Sequence, residues 1–334
     1  MATTERKTGY LPSPADAGFP LSYLFRKKSG FARAGTPPGF ADLRPFCQPI
    51  QDQLGTSSCT GQAAKAMLDI DLAIEAGGPD KIAPTSALGL YLLGRLEGDW
   101  SQTVEDGGAS FFAVLESATD DGVIPEVDMP FVEEAVNLRP DWDALFDATK
   151  HKVVLDHWYQ AYETGAARRD IIRHMLDQGW GMGWASPVDR AYQDIGNGHG
   201  AVAPPGKDIL GNHAQVLVGY SKAQNVYLAR NSWGAAWGDN YVKGLGNAGP
   251  GYAWVAGEWI ESDVVFDVSC ISGVTHVARL SRVLPALLLL QTDRSAATPR
   301  PEAGAGRRGA WLLRVGVLEP SEARLPRGRT AHRG

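Results

Sequence analysis

Apolar residues recur at helical spacing in the first half of this 334-residue chain. From Cys59 to Ala76 the alanine, isoleucine and methionine positions predict a helix, which Gly77-Gly78-Pro79 should end. Similar patterns predict helices over Ser86 to Leu96 and over Ser110 to Asp120. We therefore expect this half of the chain to be rich in helix.

Short strand-like runs dominate the later half, where Gly, Pro and Asn interrupt the pattern. The predicted strands are residues 179–184, 214–220, 226–230 and 251–255. A helical part that precedes a strand-rich part, without βαβ alternation, favours an α+β fold with a cleft between the two parts. Sites usually form in such clefts.

The two ends of the chain differ from its body, which we assign to residues 41–276. Residues 1–40 contain several prolines and glycines without a sustained period, and predict an extended lead-in against the body's surface. Residues 277–334 hold 11 Arg, no Lys and four acidic residues, a net charge of +7. This tail is rich in Ala, Gly and Pro and has little to bury, so we predict that it is disordered.

Charge and hydropathy exclude several classes of partner. The whole chain carries −6, so residues 1–276 carry −13, which argues against a nucleic-acid partner. The longest apolar run, Val283–Leu290, is far shorter than the ~20 residues of a membrane helix, so no membrane partner is expected. No signal peptide is evident and there are only three cysteines, which favours the reducing cytoplasm. The oligomeric state stays open.

Cys59 opens the first predicted helix. At that position unpaired N–H groups and the helix dipole favour an anion, so we expect a lowered thiol pKa. The alternative is a small buried hydrophobic residue, which is the more common state of an intracellular cysteine.

A predicted hairpin supplies partners for such a thiol. His213 begins an alternating run to Tyr220, and Val226 begins a second run that reaches Asn231 after a short turn. If Tyr220 pairs with Val226, then His213 faces Trp233 and lies beside Asn231. A thiolate nucleophile needs a proton acceptor and a group that orients it, and this hairpin offers both.

These residues resemble the papain-like cysteine peptidases, and the segments from Asp106 to Ser110 and from Gly122 to Glu126 are similar to segments of bacterial members. The resemblance rests on Gln53, on Cys59, on His213-Ala214, and on the run Asn-Ser-Trp-Gly-Ala-Ala-Trp-Gly over residues 231–238. Cys59 and His213 lie 154 residues apart, and Asn231 follows 18 residues later, close to the spacing of that family. The resemblance covers roughly Asp42 to Val265.

The resemblance implies a role for each matched residue. Cys59 would be the nucleophile, His213 the general acid and base, and Asn231 the amide that orients the imidazole. Gln53 and the N–H of Cys59 would donate to the oxyanion. Trp233 would shield the His213–Asn231 contact from water.

The resemblance also has implications for a pair of glycines and for the N-terminal region. Gly107 and Gly108 would let the substrate backbone approach the cleft wall, although paired glycines are more often only a turn. Residues 1–40 are too few for the long inhibitory pro-segment of lysosomal members. We therefore expect no activation by removal of a propeptide.

Other candidates have weaker support. His199 could compete as the base on spacing, but its glycine-rich surroundings indicate an exposed loop. Cys47 and Cys270 lack metal-ligand spacing and are expected to pack in the interior, so we predict no metal site and no cofactor. An aromatic group should fill the core instead of stacking on a ligand: Trp233, Trp237, Tyr241, Tyr252 and Trp254.

The sequence thus predicts a papain-like α+β fold with a helical lobe, an antiparallel β lobe and an active-site cleft between them. The predicted activity is hydrolysis of a peptide bond, in a peptide or a protein, through a thioester at Cys59. Two alternatives stay open: a transpeptidase or cyclase that uses the same acyl-enzyme, and a non-catalytic peptide-binding protein of the same fold.

Overall fold

The computed structural model describes residues 6–15, 19–20, 39–98, 105–137, 153–196 and 198–276. The tail that we expect to be disordered, residues 277–334, lies outside these ranges, and so does the apolar run Val283–Leu290. Within the described ranges, no helix combines the length and the apolar composition that crossing a bilayer requires.

Three of the α-helices in the described residues lie where the sequence predicts them. The helices are α1 (Cys59–Ala76), α2 (Ala87–Gly98), α3 (Phe111–Asp120), α4 (Gly165–Asp177), α5 (Arg190–Gln193) and α6 (Gly257–Glu261). The prediction for α1 is confirmed residue for residue, whereas α2 and α3 each begin one residue later than predicted. Ser110 caps α3, because its Oγ accepts a hydrogen bond from the N–H of Ala113 at 3.1 Å.

Helix α1 is largely buried. Most of its residues are buried, including Lys65, whose ammonium group lies 3.0 Å from the carboxylate of Asp69 one turn later. Gly77 ends the helix with a left-handed φ of 78°, and Gly78 donates its N–H to the carbonyl of Ala73 at 2.8 Å. The glycine pair therefore ends the helix as predicted.

The strands form one large sheet and one small hairpin. They are β1 (Phe19–Pro20), β2 (Phe40–Asp42), β3 (Val153–Gln160), β4 (Met182–Asp189), β5 (Ile209–Ser221), β6 (Val226–Arg230), β7 (Tyr241–Val242), β8 (Gly246–Asn247), β9 (Tyr252–Ala256) and β10 (Asp267–His276). The eight-stranded sheet has the order β1-β3-β10-β4-β5-β6-β9, with β2 also paired to β5. Strands β7 and β8 pair with each other, and every pair except β1–β3 is antiparallel.

Helix α1 joins the helical part of the molecule to the sheet. It contacts β5 on one side and α2 on the other, and α2 packs on α3. The predicted α+β architecture of a helical lobe and an antiparallel β lobe is confirmed.

Three details differ from the prediction. The strand predicted at 179–184 is instead Met182–Asp189, because Gly179, with a φ of 92°, belongs to the turn that ends α4. Helix α4 itself was not predicted. Strand β5 begins at Ile209, so His213 lies inside a strand and not at its start.

The hairpin of β5 and β6 has the predicted register near the site but not at the turn. At the turn, Ser221 pairs with Val226, so the predicted pairing of Tyr220 with Val226 is wrong by one residue. A β-bulge then adds one residue to β5, and Leu217 faces Ala229 as the predicted register requires. The end of the hairpin near the predicted site therefore keeps its alignment.

Candidate active site

Cys59 is the first residue of α1 and is fully buried. The loop before it is fixed by one carboxylate: the N–H of Ser57 donates to both oxygens of Asp106, at 3.0 and 2.8 Å. The hydroxyl of Tyr91 donates to the same carboxylate at 2.7 Å and accepts from the N–H of Gly108 at 3.0 Å. Asp106 and Tyr91 thus connect the loop that carries the sulfur to the loop that carries the glycine pair.

His213 lies between the two partners that the hairpin predicts. Its Nε2 is 2.7 Å from Oδ1 of Asn231, and its ring stacks on Trp233 with centroids 4.4 Å apart and planes 25° apart. The other ring nitrogen, Nδ1, is buried and has no hydrogen-bond partner among the described residues. The imidazole is therefore oriented at one nitrogen and free to take a proton at the other.

Gln53 is buried beside this group, and its side-chain amide is held at both ends. Its Oε1 accepts a hydrogen bond from the hydroxyl of Ser232 at 2.7 Å. Its Nε2 donates to the carbonyl of Thr56 at 2.7 Å and to the carbonyl of Lys7 at 3.2 Å. The amide predicted to hold an oxyanion thus already binds a carbonyl oxygen of the N-terminal region.

Residues 6–15, which we call the N-terminal strap, lie against the body of the protein, in the cleft. The strap makes backbone hydrogen bonds to both walls. The N–H of Ala109 donates to the carbonyl of Gly9 at 3.0 Å, and the N–H of Tyr10 donates to the carbonyl of Asn212 at 3.1 Å. The strap therefore covers the group of predicted catalytic residues.

Two glycines make this close approach possible. A Cβ on Gly9 would lie 2.2 Å from the carbonyl oxygen of Ser57, and a Cβ on Gly108 would lie 1.9 Å from the carbonyl oxygen of Gly9. Gly108 also has a φ of 92°, which side chains disfavour. Gly107 has no comparable neighbour, so the strap approaches this glycine pair closely at Gly108 alone.

Charged side chains hold the first residues of the strap. Arg6 donates to the carboxylate of Asp52 at 2.5 Å and to the carbonyl of Trp233 at 3.0 Å. Lys7 lies 3.5 Å from the carboxylate of Asp106. Because the Arg6 and Lys7 side chains are partly exposed, solvent and salt screen these pairs.

The covered site holds its thiol and imidazole in neutral forms. Burial raises the pKa of the Cys59 thiol, although the backbone N–H groups of Ala214 and Gly9 oppose the rise. Burial also lowers the pKa of His213 to about 4, against the opposing hydrogen bond of Asn231. The expected lowering of the Cys59 pKa is wrong for this state, because the loss of water around the sulfur outweighs the helix terminus.

The remaining candidates lie away from this group. His199 is exposed and its ring packs at 5.7 Å against Tyr241. Of the three cysteines in the chain, all of them described, none forms a disulfide. Cys270 is buried as expected, whereas Cys47 is only partly buried.

The prediction that the aromatic group fills the core holds for four of its five members. The buried members are Trp233, Trp237, Tyr252 and Trp254. Tyr241 is 38% exposed, so the prediction is wrong there. It lies in the short β7–β8 hairpin, outside the large sheet, where fewer residues cover it.

Sequence reasoning assigned no role to several residues that shape the site. Asp106, Tyr91 and Ser232 act through contacts with residues far away in the chain, which no local pattern reveals. An acidic residue directly before a glycine pair was the one available signal for Asp106. No local sequence pattern indicates the strap, because backbone groups, which all residues share, make much of its contact with the cleft.

The fold has known relatives among solved structures. Xylellain, a cysteine protease from Xylella fastidiosa, is similar with a TM-score of 0.61 and 21% identity, over 82% of this chain and 100% of that one. ProCathepsin B S9 from Trypanosoma congolense gives 0.55 and 13%, over 80% and 87%. Bromelain from Ananas comosus, in complex with the E64 inhibitor, gives 0.52 and 17%, over 71% and 99%.

These similarities define the fold. The chain has the papain-like cysteine protease fold, as the resemblance in the sequence implied. No protein-family model matches the chain, and no curated protein matches its sequence. The chemistry must therefore be argued from the residues in the cleft.

Proposed function

We propose that this chain is a cysteine peptidase that hydrolyses peptide bonds in peptides or proteins. The observation that carries the proposal is the setting of His213, whose neighbour Ala214 directs its backbone N–H at the sulfur of Cys59. Asn231 binds its Nε2 and Trp233 stacks on its ring, while Nδ1 keeps no partner among the described residues. A structural histidine in a core would be expected to satisfy both nitrogens.

The proposed reaction uses these groups in sequence. The Cys59 thiol gives its proton to Nδ1 of His213, and the sulfur attacks the substrate carbonyl carbon. His213 returns the proton to the departing amine as the C–N bond breaks, which leaves a thioester. A water molecule then gives a proton to His213, and the oxygen of that water attacks the thioester. The C–S bond breaks, the acid leaves, and His213 returns the proton to the sulfur, which restores the thiol.

Gln53 supports this reaction as the donor to the oxyanion. Its Nε2 points at the carbonyl oxygen of Lys7, and Ser232 fixes the other end of the amide. A preorganised donor of this kind typically lowers the barrier by ~3 kcal/mol. The N–H of Cys59, at the start of α1, would be the second donor.

Turnover requires the strap to leave the cleft. A substrate backbone would replace it against Ala109 and Asn212, where Gly9 and Tyr10 now make their hydrogen bonds. Cys59 and His213 would then regain water, and both pKa values would return toward their ordinary range. The chain as described is thus the closed form of the proposed enzyme.

The test uses the full chain with the strap displaced by Gly9→Val, since a side chain there collides with the backbone of Ser57. We expect cleavage of a mixed peptide library, measured by mass spectrometry, and no cleavage when Cys59→Ala is added. Cleavage that persists in the Cys59→Ala chain would contradict the proposal.

The same experiment separates the alternatives. Products joined to an added amine would indicate a transpeptidase, which uses the same thioester. Peptides that bind without being cleaved, at a Cys59 that a thiol reagent readily labels, would indicate a binding protein.

A further inference from the structure

A buried polar cluster lies beneath the later part of the strap. It consists of Asp267 and Ser269 on β10 and Gln160 on β3, which are 2%, 0% and 4% exposed. Asp267 and Ser269 are two residues apart on one strand, and Ser269 pairs directly with Gln160. The three side chains therefore project from one face of the sheet.

The cluster has more acceptors than donors. Asp267 accepts a hydrogen bond from Nε2 of Gln160 and another from the N–H of Ser13 at 3.0 Å. Oε1 of Gln160 and Oγ of Ser269 are buried without a partner among the described residues. Among the described residues, no Lys, Arg or His forms an ion pair with Asp267. A buried carboxylate beside two unpaired polar atoms is costly unless something else binds there.

Ser13 separates this cluster from the side chain of Tyr10. The ring of Tyr10 is 3% exposed and packs on Phe111 at 5.6 Å. Its hydroxyl lies 3.5 Å from Oγ of Ser13, whose backbone N–H is the group that contacts Asp267. Tyr10 and Ser13 thus lie next to each other in the strap, and Ser13 is the residue that contacts the cluster.

We propose that Asp267, Ser269 and Gln160 form a specificity pocket for a guanidinium or ammonium group, uncovered when the strap leaves. The inference rests on the peptidase activity proposed above. A substrate would place an Arg or Lys side chain where Tyr10 now lies, and its cationic end would replace the N–H of Ser13 at Asp267. The N–H donors of guanidinium suit the carboxylate, the amide oxygen and the hydroxyl that this cluster presents.

The charge state of the cluster agrees with this geometry. Burial raises the pKa of Asp267 to about 6, and the N–H of Ser13 opposes the rise. A bound cation would lower that pKa and favour the carboxylate. A purely structural carboxylate would be expected to have its cation within the fold, as Asp69 has Lys65.

The first experiment compares two peptide series on the full chain carrying Gly9→Val. One series carries Arg and the other carries its neutral isostere citrulline, and the two are otherwise identical. In each series this residue is placed in turn at every position on either side of the cleaved bond. At one position we expect kcat/KM to be at least about tenfold higher for Arg, the value of one charge-assisted hydrogen bond. Adding Asp267→Asn should remove that preference by slowing the Arg peptide more than the citrulline peptide.

A matched control is Asp177→Asn, which removes a carboxylate bonded to Tyr220 on another part of the surface. It should keep the preference for Arg. Equal rates for Arg and citrulline at every position would overturn the inference, and so would a preference that survives Asp267→Asn. If Asp267→Asn does not fold, the comparison of Arg with citrulline in the unmutated pocket still decides.

Failure of the proposed activity can be distinguished from failure of the pocket. If no peptide is cleaved, the peptidase proposal fails, and calorimetry measures binding of both peptide series to the Cys59→Ala, Gly9→Val chain. Tighter binding of the Arg peptide, lost with Asp267→Asn, would support the pocket without any turnover. Equal affinities of the two series would overturn it.

Discussion

The predicted catalytic residues and the strap that covers them are held in different ways. Cys59, His213 and Gln53 are fully buried, and each is fixed by the body of the fold. The strap is held by partly exposed charges at one end and by hydrogen bonds from its own backbone in the middle. Any peptide backbone can make such bonds, so a substrate can replace the strap without rebuilding the site.

The site is therefore formed before substrate arrives. The stacking of His213 on Trp233 and its bond to Asn231 do not involve the strap. Rates of chemistry should therefore depend on the buried residues, whereas access should depend on the strap. The predictions below test this division.

The largest effect is expected from His213→Ala in the chain opened by Gly9→Val. Loss of the general acid and base should lower kcat by about 10²- to 10⁴-fold, with a smaller change in KM. Steady-state kinetics on one cleaved peptide measures both constants. An unchanged kcat would show that the buried group does not perform the chemistry.

Asp267→Asn should stabilise the closed chain, which lacks Gly9→Val, in a pH-dependent way. Because the folded pKa of Asp267 is raised to about 6, its favourable contribution is complete below the ordinary value near 3.9 and is lost as the pH rises through about 6. Asn does not titrate, so the variant should exceed the parent in free energy of unfolding by up to about 3 kcal/mol at pH 7 and by little at pH 4.

Urea titrations at the two pH values measure this difference. Glu75→Gln, which replaces an exposed carboxylate near the end of α1, serves as the control and should show no such difference. A stability gap for Asp267→Asn that is the same at both pH values would contradict the buried state of this carboxyl.

Gly9→Val alone should increase the rate at which iodoacetamide labels Cys59. A buried thiol reacts when the cover opens, and forcing a side chain against Ser57 should destabilise the closed form enough for a roughly 10- to 100-fold faster reaction. Leu11→Ala, at a side chain that is 50% exposed in the same strap, should change the rate little. Equal rates for both variants would mean that the strap does not limit access.

Arg6→Ala should have the smallest effect. The pair of Arg6 with Asp52 is partly exposed and is expected to contribute less than about 1 kcal/mol, so labelling should rise by less than about fivefold. The rise should disappear at 1 M salt, where such pairs are screened. Arg169→Ala, which breaks a pair with its exposed neighbour Asp170, is the control and should leave labelling unchanged.

The sequence predicted the buried residues better than the strap for a physical reason. Helix α1 carries its own periodicity and its own stop signal at Gly77, so its bounds are local information. The alignment of His213 with Trp233 depended on the hairpin, where an error at the turn was offset by the bulge in β5. The strap and Asp106 depend on contacts between distant parts of the chain, which no local pattern encodes.

The polar cluster of Asp267, Ser269 and Gln160 shows a different limit of prediction from sequence periodicity. Polar and apolar residues alternate from Asp267 to Cys270, which is the pattern of a strand with one face in water. In the structure Asp267 and Ser269 instead point into a buried cluster with Gln160. Periodicity can report which residues share a face, but it cannot report what covers that face.

The covalent link between strap and body also decides how ligands compete for the cleft. A tethered segment acts at an effective concentration on the order of mM, and this value does not change when the protein is diluted. The apparent dissociation constant of any peptide or inhibitor then equals the intrinsic constant divided by the fraction of molecules that are open. Affinities measured on the closed chain will therefore understate the intrinsic affinity of the site by that same factor.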